Sequence, residues 1–490
     1  MKDVVLALDI GTSSSRAIVF DTKGRSIDGL RAQTHYEPRT DNDGAAEFDA
    51  GDLLEHIAKC INEVLSLVDA KKYRICAVGM CTFWHSMVGI GKTGKDITPL
   101  YTWADTRARE AAHDLSGSLN VAEYHARTGC AIHPSYFPAK LHWLKKTKPT
   151  LFAKVDRWVS PGEFIYHQLF GEAGCSVSMA SGTGLFNQNK CDWDAETLDH
   201  LSITKDNLSP VIDIDAPSNG LKDSWKSRWP VLADVPWVPA IGDGASSNLG
   251  SGCDTDRRIA INLGTSGAIR VLWKAESVEI PPELWCYRLD RNRFVMGGAF
   301  SDGGSVFAWM RDTMNLPGSN DTLEKAMEKR EPFEHGLLFL PFLSGERSIG
   351  WRPEARATIH GLCSSTQPLD ILQASMEGVA LRFSLVADLL GKQFPHASEI
   401  RASGGALGES ETWAQMVCDA IGKPIEVTAE SEASSRGAAL TALAAAGYPT
   451  DEEHVPLEKG KLRKPNPKHA KKYREALERQ QKLYNLLKSL

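Results

Sequence analysis

The sequence lacks three features that would each point to a particular class of protein. It has no run of about 18 apolar residues, so a membrane-spanning helix is not expected. Its ten cysteines include no Cys-x-x-Cys pair, which argues against a zinc site and favours buried thiols in a reducing compartment. Basic residues are not in excess, because 56 basic and 62 acidic side chains leave a net charge of −6. Nucleic-acid binding is therefore not expected.

Two well-known nucleotide motifs are also missing. The chain has no G-x-x-x-x-G-K-[ST] phosphate loop and no H-R-D catalytic loop of the protein-kinase type. If this chain uses ATP, it must bind it through another scaffold. The first residues lead directly into a strand pattern without a basic segment or a cleavage site, and we therefore expect a cytoplasmic protein.

What the chain does contain is an alternation of strand and helix patterns. Its 490 residues are too many for one hydrophobic core, so two domains are expected. Residues 51–68 place apolar side chains at helical spacing, and residues 74–83 form an apolar, strand-like run. The second half repeats the alternation, with a long helix predicted over 369–390 and a basic helix from Pro467 that packs or faces solvent. The fold class is α/β.

One local pattern occurs twice. The segment VLALDIGTSSSRAIVFD (5–21) and the segment IAINLGTSGAIRVLW (259–273) both read strand, Gly-Thr-Ser turn, strand. In the first copy, Gly11 lets backbone N–H groups face an anion, and the hydroxyls of residues 12–15 add donors. Either copy alone fits an ordinary hairpin. The pair, each after an apolar strand, favours two turns that contact a polyphosphate from two domains.

Two further glycine-rich segments follow predicted strands. PAIGDGASSNLGSG places Asp243 between glycines, where a strand ends and a helix of small residues begins. The segment beginning RASGGALGE has Gly404 and Gly405 at a strand-to-helix junction, which permits close approach of a flat ligand such as a purine.

Five segments together resemble the FGGY family of carbohydrate kinases, within the actin-like and Hsp70-like ATPase superfamily. DIGTSSSRAIVFD is similar to the first phosphate motif, GDGASSNLGSG to the catalytic-base segment and INLGTSGAIR to the second phosphate motif. PFLSGERSIGWRPEARATIHGL (341–362) is similar to the signature segment, and SGGALGESETWAQMVCDAIGKPIEV to the adenosine motif. The order of the five matches the family, and the resemblance covers nearly the whole chain.

The resemblance implies two ribonuclease-H-like domains with a catalytic cleft between them. The first, 1–245, would bind the sugar and carry the first phosphate loop; the second, 246–490, would carry the second loop, the adenosine site and the C-terminal helix. Asp243 would be the catalytic base and Asp9 would hold Mg²⁺, mostly through water. The residues implied to bind ATP are Thr12, Ser13, Arg16, Gly264, Thr265, Gly404 and Gly405. The alternatives are structural: Asp9 caps its turn, and Asp243 caps its helix.

The substrate pocket is expected in the first domain. Trp84 and His85 stand where xylulose and gluconate kinases of this family carry Met-His, so the tryptophan is a departure. Asp105 and Arg107 lie in a Trp-Ala-Asp-x-Arg phrase that resembles the gluconate kinase branch. The substrate-binding set is thus Trp84, His85, Asp105, Arg107 and Asp243.

A pocket for a sugar acid needs a cation or several donors. The candidates for that role are His85, Arg107, His133 and Lys140. Each has a structural alternative: Arg107 pairs with Asp105 or Glu110 on a helix surface, Lys140 is solvated at a helix start, and His133 is a structural histidine.

Three functions are compatible with the sequence. The first is an ATP- and Mg²⁺-dependent carbohydrate kinase acting on D-gluconate, with D-xylulose or D-ribulose as the alternative substrate. The second is a chaperone- or filament-type ATPase of the same superfamily, and the third is a catalytically silent sugar sensor. Retention of both Asp9 and Asp243 argues against the third. The expected partner is a small sugar or sugar acid, with no nucleic acid and no membrane; a homodimer is left open.

Overall fold

The structure is a computed structural model that describes residues 1–171, 174–428, 430 and 432–488. The chain forms two compact units, each built from three segments. The first comprises Met1–Gly252, Leu272–Val295 and Glu432–Leu457; the second comprises Cys253–Val271, Met296–Ser431 and Glu458–Leu490. The boundary between 245 and 246 given above stays a prediction, and the last two residues of that second domain lie outside the described part.

The first unit contains a five-stranded mixed sheet. Its strands run in the spatial order Ile241–Gly242, Tyr73–Thr82, Lys2–Ile10, Ser14–Asp21 and Ser26–His35. The first three are mutually parallel, and the last two continue the sheet as antiparallel hairpins. The apolar strand Lys2–Ile10 is buried from Val4 onward because it lies in the middle of the sheet. The turn between strands Ser14–Asp21 and Ser26–His35 has Gly24 at φ 68°, a left-handed conformation that favours glycine.

Helix Ala50–Leu67 confirms the helix predicted over 51–68. Asp49 caps its N-terminus by accepting a hydrogen bond from the Asp52 amide at 3.0 Å. Its apolar face contacts the strands Ser14–Asp21 and Ser26–His35. This helix therefore fixes one end of the sheet relative to the first Gly-Thr-Ser turn.

A second helix that packs on the same sheet lies near the other end of the sequence. Helix Ala433–Ala445 packs on the strands Lys2–Ile10 and Tyr73–Thr82. The approach is so close that a Cβ atom on Gly79 would lie 1.9 Å from the carbonyl oxygen of Ala438. Only glycine is compatible with that spacing.

The remaining elements of the first unit are short. The strands are Arg39–Thr40, Ala46–Phe48, Val88–Ile90, Leu100–Tyr101, Arg157–Val159, Cys175–Ser176, Phe186–Asn187, Asp192–Trp193, Val211–Ile212 and Trp285–Arg288. The α-helices are Arg109–Ser118, Val121–Thr128, Phe137–Thr147, Pro149–Phe152, Pro161–Phe170, Val177–Ser181, Ala195–Leu201, Asp223–Arg228 and Asp243–Gly250, and the 3₁₀ turns are Lys205–Asn207 and Pro230–Leu232.

The second unit repeats the arrangement seen around the first turn. Strand Arg258–Leu263 pairs antiparallel with Gly267–Lys274 across the second Gly-Thr-Ser turn and parallel with Glu399–Ser403 on its other side. The first unit has the same order, with Lys2–Ile10 between an antiparallel and a parallel neighbour. Six neighbouring strands of this seven-stranded sheet run in the spatial order Arg293–Phe300, Gly267–Lys274, Arg258–Leu263, Glu399–Ser403, Ile425–Val427 and Lys461–Arg463.

Helices and one small hairpin complete the second unit. The predicted long helix over 369–390 is observed as Pro368–Gln393, and the basic C-terminal helix is observed as Pro467–Lys488. The other elements are the helices Gly304–Thr313, Asn320–Glu328, Gly405–Glu409 and Glu411–Ile421 and the paired strands Leu338–Leu340 and Thr358–His360. In the described residues, none of the helices combines the length and apolar character needed to cross a membrane.

All ten cysteines are free thiols, and most are buried. Cys363 is the exposed exception. Hydrogen bonds from the neighbouring hydroxyls, first that of Ser365 and then that of Thr366, lower the pKa of the Cys363 thiol to about 7. Burial instead raises the pKa of thiols such as Cys81 and Cys130.

These thiol environments predict selective alkylation. Because the thiolate is the nucleophile, we expect Cys363 to react with iodoacetamide before the other cysteines, at a rate that rises as pH passes through about 7. Mass spectrometry of a labelling time course would identify the site. The matched variant Cys363→Ser should lack the fast phase, and a fast phase that persists in it would contradict the prediction.

Candidate functional site

Two carboxylates lie at the carboxyl ends of parallel strands in the first unit. Asp9 lies near the end of Lys2–Ile10 and pairs in register with Cys81, which in turn pairs with Ile241. Asp243 follows directly after the strand Ile241–Gly242. Carboxyl ends of parallel strands lie at one edge of a sheet, where ligands of open α/β sheets bind. The structure thus places both aspartates that the sequence singled out at this edge of the sheet.

Asp9 is 7% exposed and has a defined set of neighbours. Its Oδ2 atom accepts hydrogen bonds from Arg16 Nη1 at 3.4 Å and from Ser435 Oγ at 3.2 Å, and its Oδ1 atom accepts from the Cys81 thiol at 3.4 Å. Burial, and then the Asp9 charge, raise the pKa of the Cys81 thiol, so it remains a donor. Arg16 also lies 3.5 Å from Glu432.

Among the residues that the structure describes, no group of three or more His, Cys, Asp or Glu side chains is arranged to hold a metal. Asp9 therefore offers a single carboxylate rather than a protein cage. This donor set fits Mg²⁺, which commonly uses one or two carboxylates and completes its shell with water and substrate phosphates.

The first Gly-Thr-Ser turn is tighter than the sequence analysis assumed. The Gly11 amide donates to the Ser14 carbonyl at 2.9 Å, so it is used within the turn. Ser14 and Ser15 are buried at 7% and 1% exposure, with Ser15 Oγ 2.7 Å from the Tyr36 hydroxyl. The expectation that residues 12–15 all supply hydroxyl donors is therefore wrong for Ser15, whose hydroxyl is bonded to Tyr36, and it stays a prediction for the buried Ser14. Thr12 and Ser13 are more accessible.

Asp243 is the first residue of helix Asp243–Gly250, and its Oδ1 atom accepts a hydrogen bond from the Gly244 amide at 2.8 Å. The small residues of this helix have a packing reason. A Cβ atom on Gly250 would lie 1.8 Å from the Ala433 carbonyl oxygen, and one on Gly437 would lie 1.9 Å from that of Ser246. The helix that carries Asp243 is thus held in direct backbone contact with the neighbouring helix.

Trp84 and His85 form the turn after strand Tyr73–Thr82. The Trp84 indole donates to the Ser178 carbonyl at 2.9 Å, and its ring lies against Gly242, where a Cβ atom would be 1.8 Å away. Trp84 therefore packs beside the residue that precedes Asp243. A larger side chain at 242 could not coexist with it.

His85 has a left-handed backbone, with φ 63°, which is uncommon for a residue other than glycine. Its Nδ1 atom is 2.5 Å from the Gly182 carbonyl oxygen. A carbonyl only accepts, so Nδ1 carries the proton. The edges of the rings of Tyr136 and Tyr287 flank the imidazole, with centroids at 4.7 and 5.3 Å.

Lys140 is 1% exposed, so the alternative of a solvated lysine at a helix start is wrong. It lies inside helix Phe137–Thr147 because its long side chain reaches inward, where Nζ donates to the carbonyl oxygens of Ser135 and His85. His133 is also buried, at 7% exposure, with Nδ1 3.0 Å from the Ser135 hydroxyl.

Arg107 is paired with two buried carboxylates. Its guanidinium contacts Asp105, as one sequence alternative proposed, and also Glu47, which the sequence did not indicate. The group also stacks over the rings of Tyr101 and Trp143, with 5.4 and 5.0 Å to the centroids. The pairing is not on a helix surface, because the next helix begins only at Arg109.

The second unit contains a cavity of about 750 Å³, within the range of small-molecule sites. The second Gly-Thr-Ser turn lines it with Gly264 and Thr265, and Gly405 lines it at the start of its helix. Gly404 has φ 101°, and a Cβ atom there would lie 2.5 Å from the Leu263 carbonyl oxygen. Gly404 thus permits two strands to approach, while Gly405 lies on the cavity wall.

Several residues near these sites had no local sequence signal. Ser435 reaches Asp9, and Glu432 reaches Arg16, each from more than four hundred positions away. Tyr287 reaches His85 from a separate segment. Tyr36 and Glu47 lie between recognisable motifs. Only their contacts in the folded chain identify them.

Family models and known proteins match most of this chain. The model of the FGGY family of carbohydrate kinases, N-terminal domain, matches residues 4–250, and that of the C-terminal domain matches residues 259–446. The gluconokinase of Bacillus subtilis (strain 168) is 30% identical, over 91% of this chain and 88% of its own length.

Two solved structures from Lactobacillus acidophilus are similar to this chain: a ligand-bound xylulose kinase and a gluconate kinase. Each is 26% identical with a TM-score of 0.92, and each match covers 99% of this chain and 98% of the other. The two-domain, actin-like α/β fold is confirmed. The chain belongs to the FGGY family of carbohydrate kinases.

Proposed function

We propose that this carbohydrate kinase transfers the γ-phosphoryl group of ATP to a terminal hydroxyl of D-gluconate, giving 6-phosphogluconate. The observation that carries the reaction type is the placement of Asp9 and Asp243 at the ends of the two parallel strands that flank strand Tyr73–Thr82. The similarity to the Bacillus subtilis gluconokinase supports gluconate as the substrate. A ketopentose, D-xylulose or D-ribulose, is the alternative substrate. Of the two equally similar solved structures, one is named a xylulose kinase and the other a gluconate kinase.

The proposed roles follow from what phosphoryl transfer needs. Asp243 accepts the proton of the attacking hydroxyl, while Thr12, Ser13 and Arg16 contact the phosphates from the first unit. In the second unit the proposed contacts are the turn at Gly264 and Thr265 for phosphate and the wall at Gly405 for the nucleoside, with Gly404 shaping the junction. Mg²⁺, when bound near Asp9, would neutralise developing phosphate charge.

The carboxylate of gluconate needs charged or strongly polar donors, because its lost hydration must be replaced. Arg107 is a weaker candidate than its sequence phrase indicated, since Asp105 and Glu47 already compensate its charge. Lys140 and His85 belong to one buried cluster beside Trp84, whose indole packs against Gly242. We therefore place Lys140 and His85 ahead of Arg107 in the proposed recognition of the acid end.

A substrate panel tests this proposal. We expect wild-type kcat/KM at saturating ATP to be higher for D-gluconate than for D-xylulose, D-ribulose or glycerol. Among His85→Ala, Lys140→Ala and Arg107→Ala, at least one should lose about tenfold of the gluconate preference, because a charged hydrogen bond contributes about 1.5–3 kcal/mol.

Lys145→Ala is the matched control, since Lys145 lies on the same helix as Lys140 but is exposed. A wild-type preference for a ketopentose would replace gluconate by the alternative and leave the kinase mechanism unchanged. ATP turnover that no sugar stimulates would instead favour the ATPase function.

A further inference from the structure

The phenol of Tyr36 contacts the first Gly-Thr-Ser turn directly. Its hydroxyl donates to the Gly11 carbonyl at 2.8 Å and lies 2.7 Å from Ser15 Oγ. Its backbone amide donates to the Ser13 carbonyl at 3.1 Å. Tyr36 follows the end of strand Ser26–His35, so it reaches the turn from the neighbouring hairpin.

We propose that Tyr36 is a positioning residue that holds this turn in the shape that binds the phosphates of ATP. This inference rests on the proposed function, in which Thr12 and Ser13 contact those phosphates. Tyr36 itself need not touch the nucleotide.

The directions of the two hydrogen bonds at the Tyr36 hydroxyl support the proposal. A tyrosine hydroxyl has one proton, and it is given to the Gly11 carbonyl, so Ser15 must donate its own proton to the phenol oxygen. Burial raises the pKa of Tyr36, so the phenol keeps its proton throughout the physiological range. The Ser15 hydroxyl is therefore committed to Tyr36 rather than available to a phosphate.

The carbonyls matter because a phosphate is an anion. A turn that presents amides and hydroxyls to an anion must keep its carbonyl oxygens engaged elsewhere, since a rotated peptide would present negative charge to the ligand. Tyr36 engages the carbonyls of Gly11 and Ser13, and the Cys60 thiol engages that of Ser15 at 3.3 Å.

The tyrosine ring is itself fixed. Its centroid lies 5.5 Å from that of Phe48 in an edge-on contact and 5.0 Å from that of His56. His56 and Cys60 both belong to helix Ala50–Leu67, so one helix supports the ring and the turn together. Removing only the hydroxyl should leave this packing in place.

The second Gly-Thr-Ser turn is held in a different way. Amides of Gly303 and Ser305 donate to the Thr265 carbonyl at 3.0 and 3.1 Å, and the Gly304 amide donates to that of Gly264 at 2.7 Å. These donors are all backbone groups. The first turn is therefore the one whose shape a side-chain substitution can test.

The experiment compares Tyr36→Phe with wild type in the full-length protein. We expect KM for ATP, and Kd for a non-hydrolysable ATP analogue measured by calorimetry, to rise about tenfold, because two neutral hydrogen bonds to the turn are lost. KM for the sugar and the melting temperature should stay close to wild type. Tyr73→Phe is the matched control, since Tyr73 lies at the edge of the same sheet at the start of strand Tyr73–Thr82.

A second variant tests the hydrogen bond between Ser15 and the Tyr36 hydroxyl separately. Ser15→Ala removes the donor to the phenol but leaves the Gly11 contact, so it should weaken analogue binding by less than Tyr36→Phe, and the two changes together should be less than additive. Unchanged analogue affinity in Tyr36→Phe, or a parallel loss of kcat, both KM values and melting temperature, would overturn the inference. Wild type that binds the analogue but phosphorylates no sugar would refute the proposed function and leave this test intact.

Discussion

Replacing Asp243 by Asn is expected to lower kcat by at least about a hundredfold, with a smaller change in KM for the sugar, because general-base catalysis contributes about 10²–10⁴ in rate. The substitution keeps the size and shape of the side chain and removes its ability to accept a proton. Steady-state kinetics with the best substrate of the panel would measure the effect.

The structure also makes this variant a test between two roles. Asp243 Oδ1 accepts the Gly244 amide at the start of a helix, and an asparagine oxygen can accept the same bond. If Asp243 only stabilised the helix, Asp243→Asn would retain nearly normal turnover, and the catalytic assignment would be lost. Asp223→Asn is the control, because Asp223 is also the first residue of a helix but is exposed.

Residues within short contiguous motifs could be placed from the sequence. Asp9 lies near the end of an apolar strand and Asp243 directly follows one, and the carboxyl ends of parallel strands lie at one edge of a sheet whatever the sequence between them. The two Gly-Thr-Ser turns were found for the same reason, since a strand, a turn and a returning strand form a local unit.

Contacts made by long side chains could not be placed in this way. Nothing in the Trp-Ala-Asp-x-Arg phrase indicates that Glu47 reaches Arg107, because Glu47 lies on a separate short strand. The alternative of a solvated Lys140 is wrong because the fold provides carbonyl acceptors that make its burial acceptable. Patterns predict elements well and predict the partners of buried polar groups poorly.

The C-terminal helix shows how much such partners matter. Its basic composition indicated a helix that packs or faces solvent, and one face does pack, on the signature segment 341–362. The Tyr484 hydroxyl donates to Glu346 Oε2 at 2.6 Å, and the other carboxylate oxygen of Glu346 accepts from Arg382 Nη2 at 2.6 Å. The side chains of Glu346 and Arg382 are 0% and 3% exposed.

The same segment is joined to the second turn by a short series of hydrogen bonds. Ser344 donates to the Asp302 carboxylate through its amide at 2.8 Å and its hydroxyl at 2.9 Å. Gly303, which directly follows Asp302 in the chain, donates its amide to the Thr265 carbonyl at 3.0 Å. The segment that contains Glu346 is thus linked by hydrogen bonds to the second Gly-Thr-Ser turn.

Among the substitutions considered, we expect the largest loss of stability when one partner of the buried Glu346–Arg382 ion pair is removed. In Arg382→Met the Glu346 carboxylate remains buried without its cation, and breaking a buried ion pair in this way costs about 3–5 kcal/mol of the free energy of unfolding. The methionine preserves apolar contact with the rings of Phe342 and Tyr484, over which the guanidinium now lies at 5.2 and 5.4 Å. The loss therefore reports the charge rather than a cavity.

Urea unfolding followed by far-UV circular dichroism would measure this loss. The double variant Glu346→Gln with Arg382→Met should recover much of it, because no unpaired charge then remains buried. Arg474→Met is the control: its ion pair with Asp388 is also between an arginine and a carboxylate of the second unit, but both side chains are well exposed, so the change should stay below about 1 kcal/mol. Equal effects of Arg382→Met and Arg474→Met would show that burial does not set the contribution of the pair.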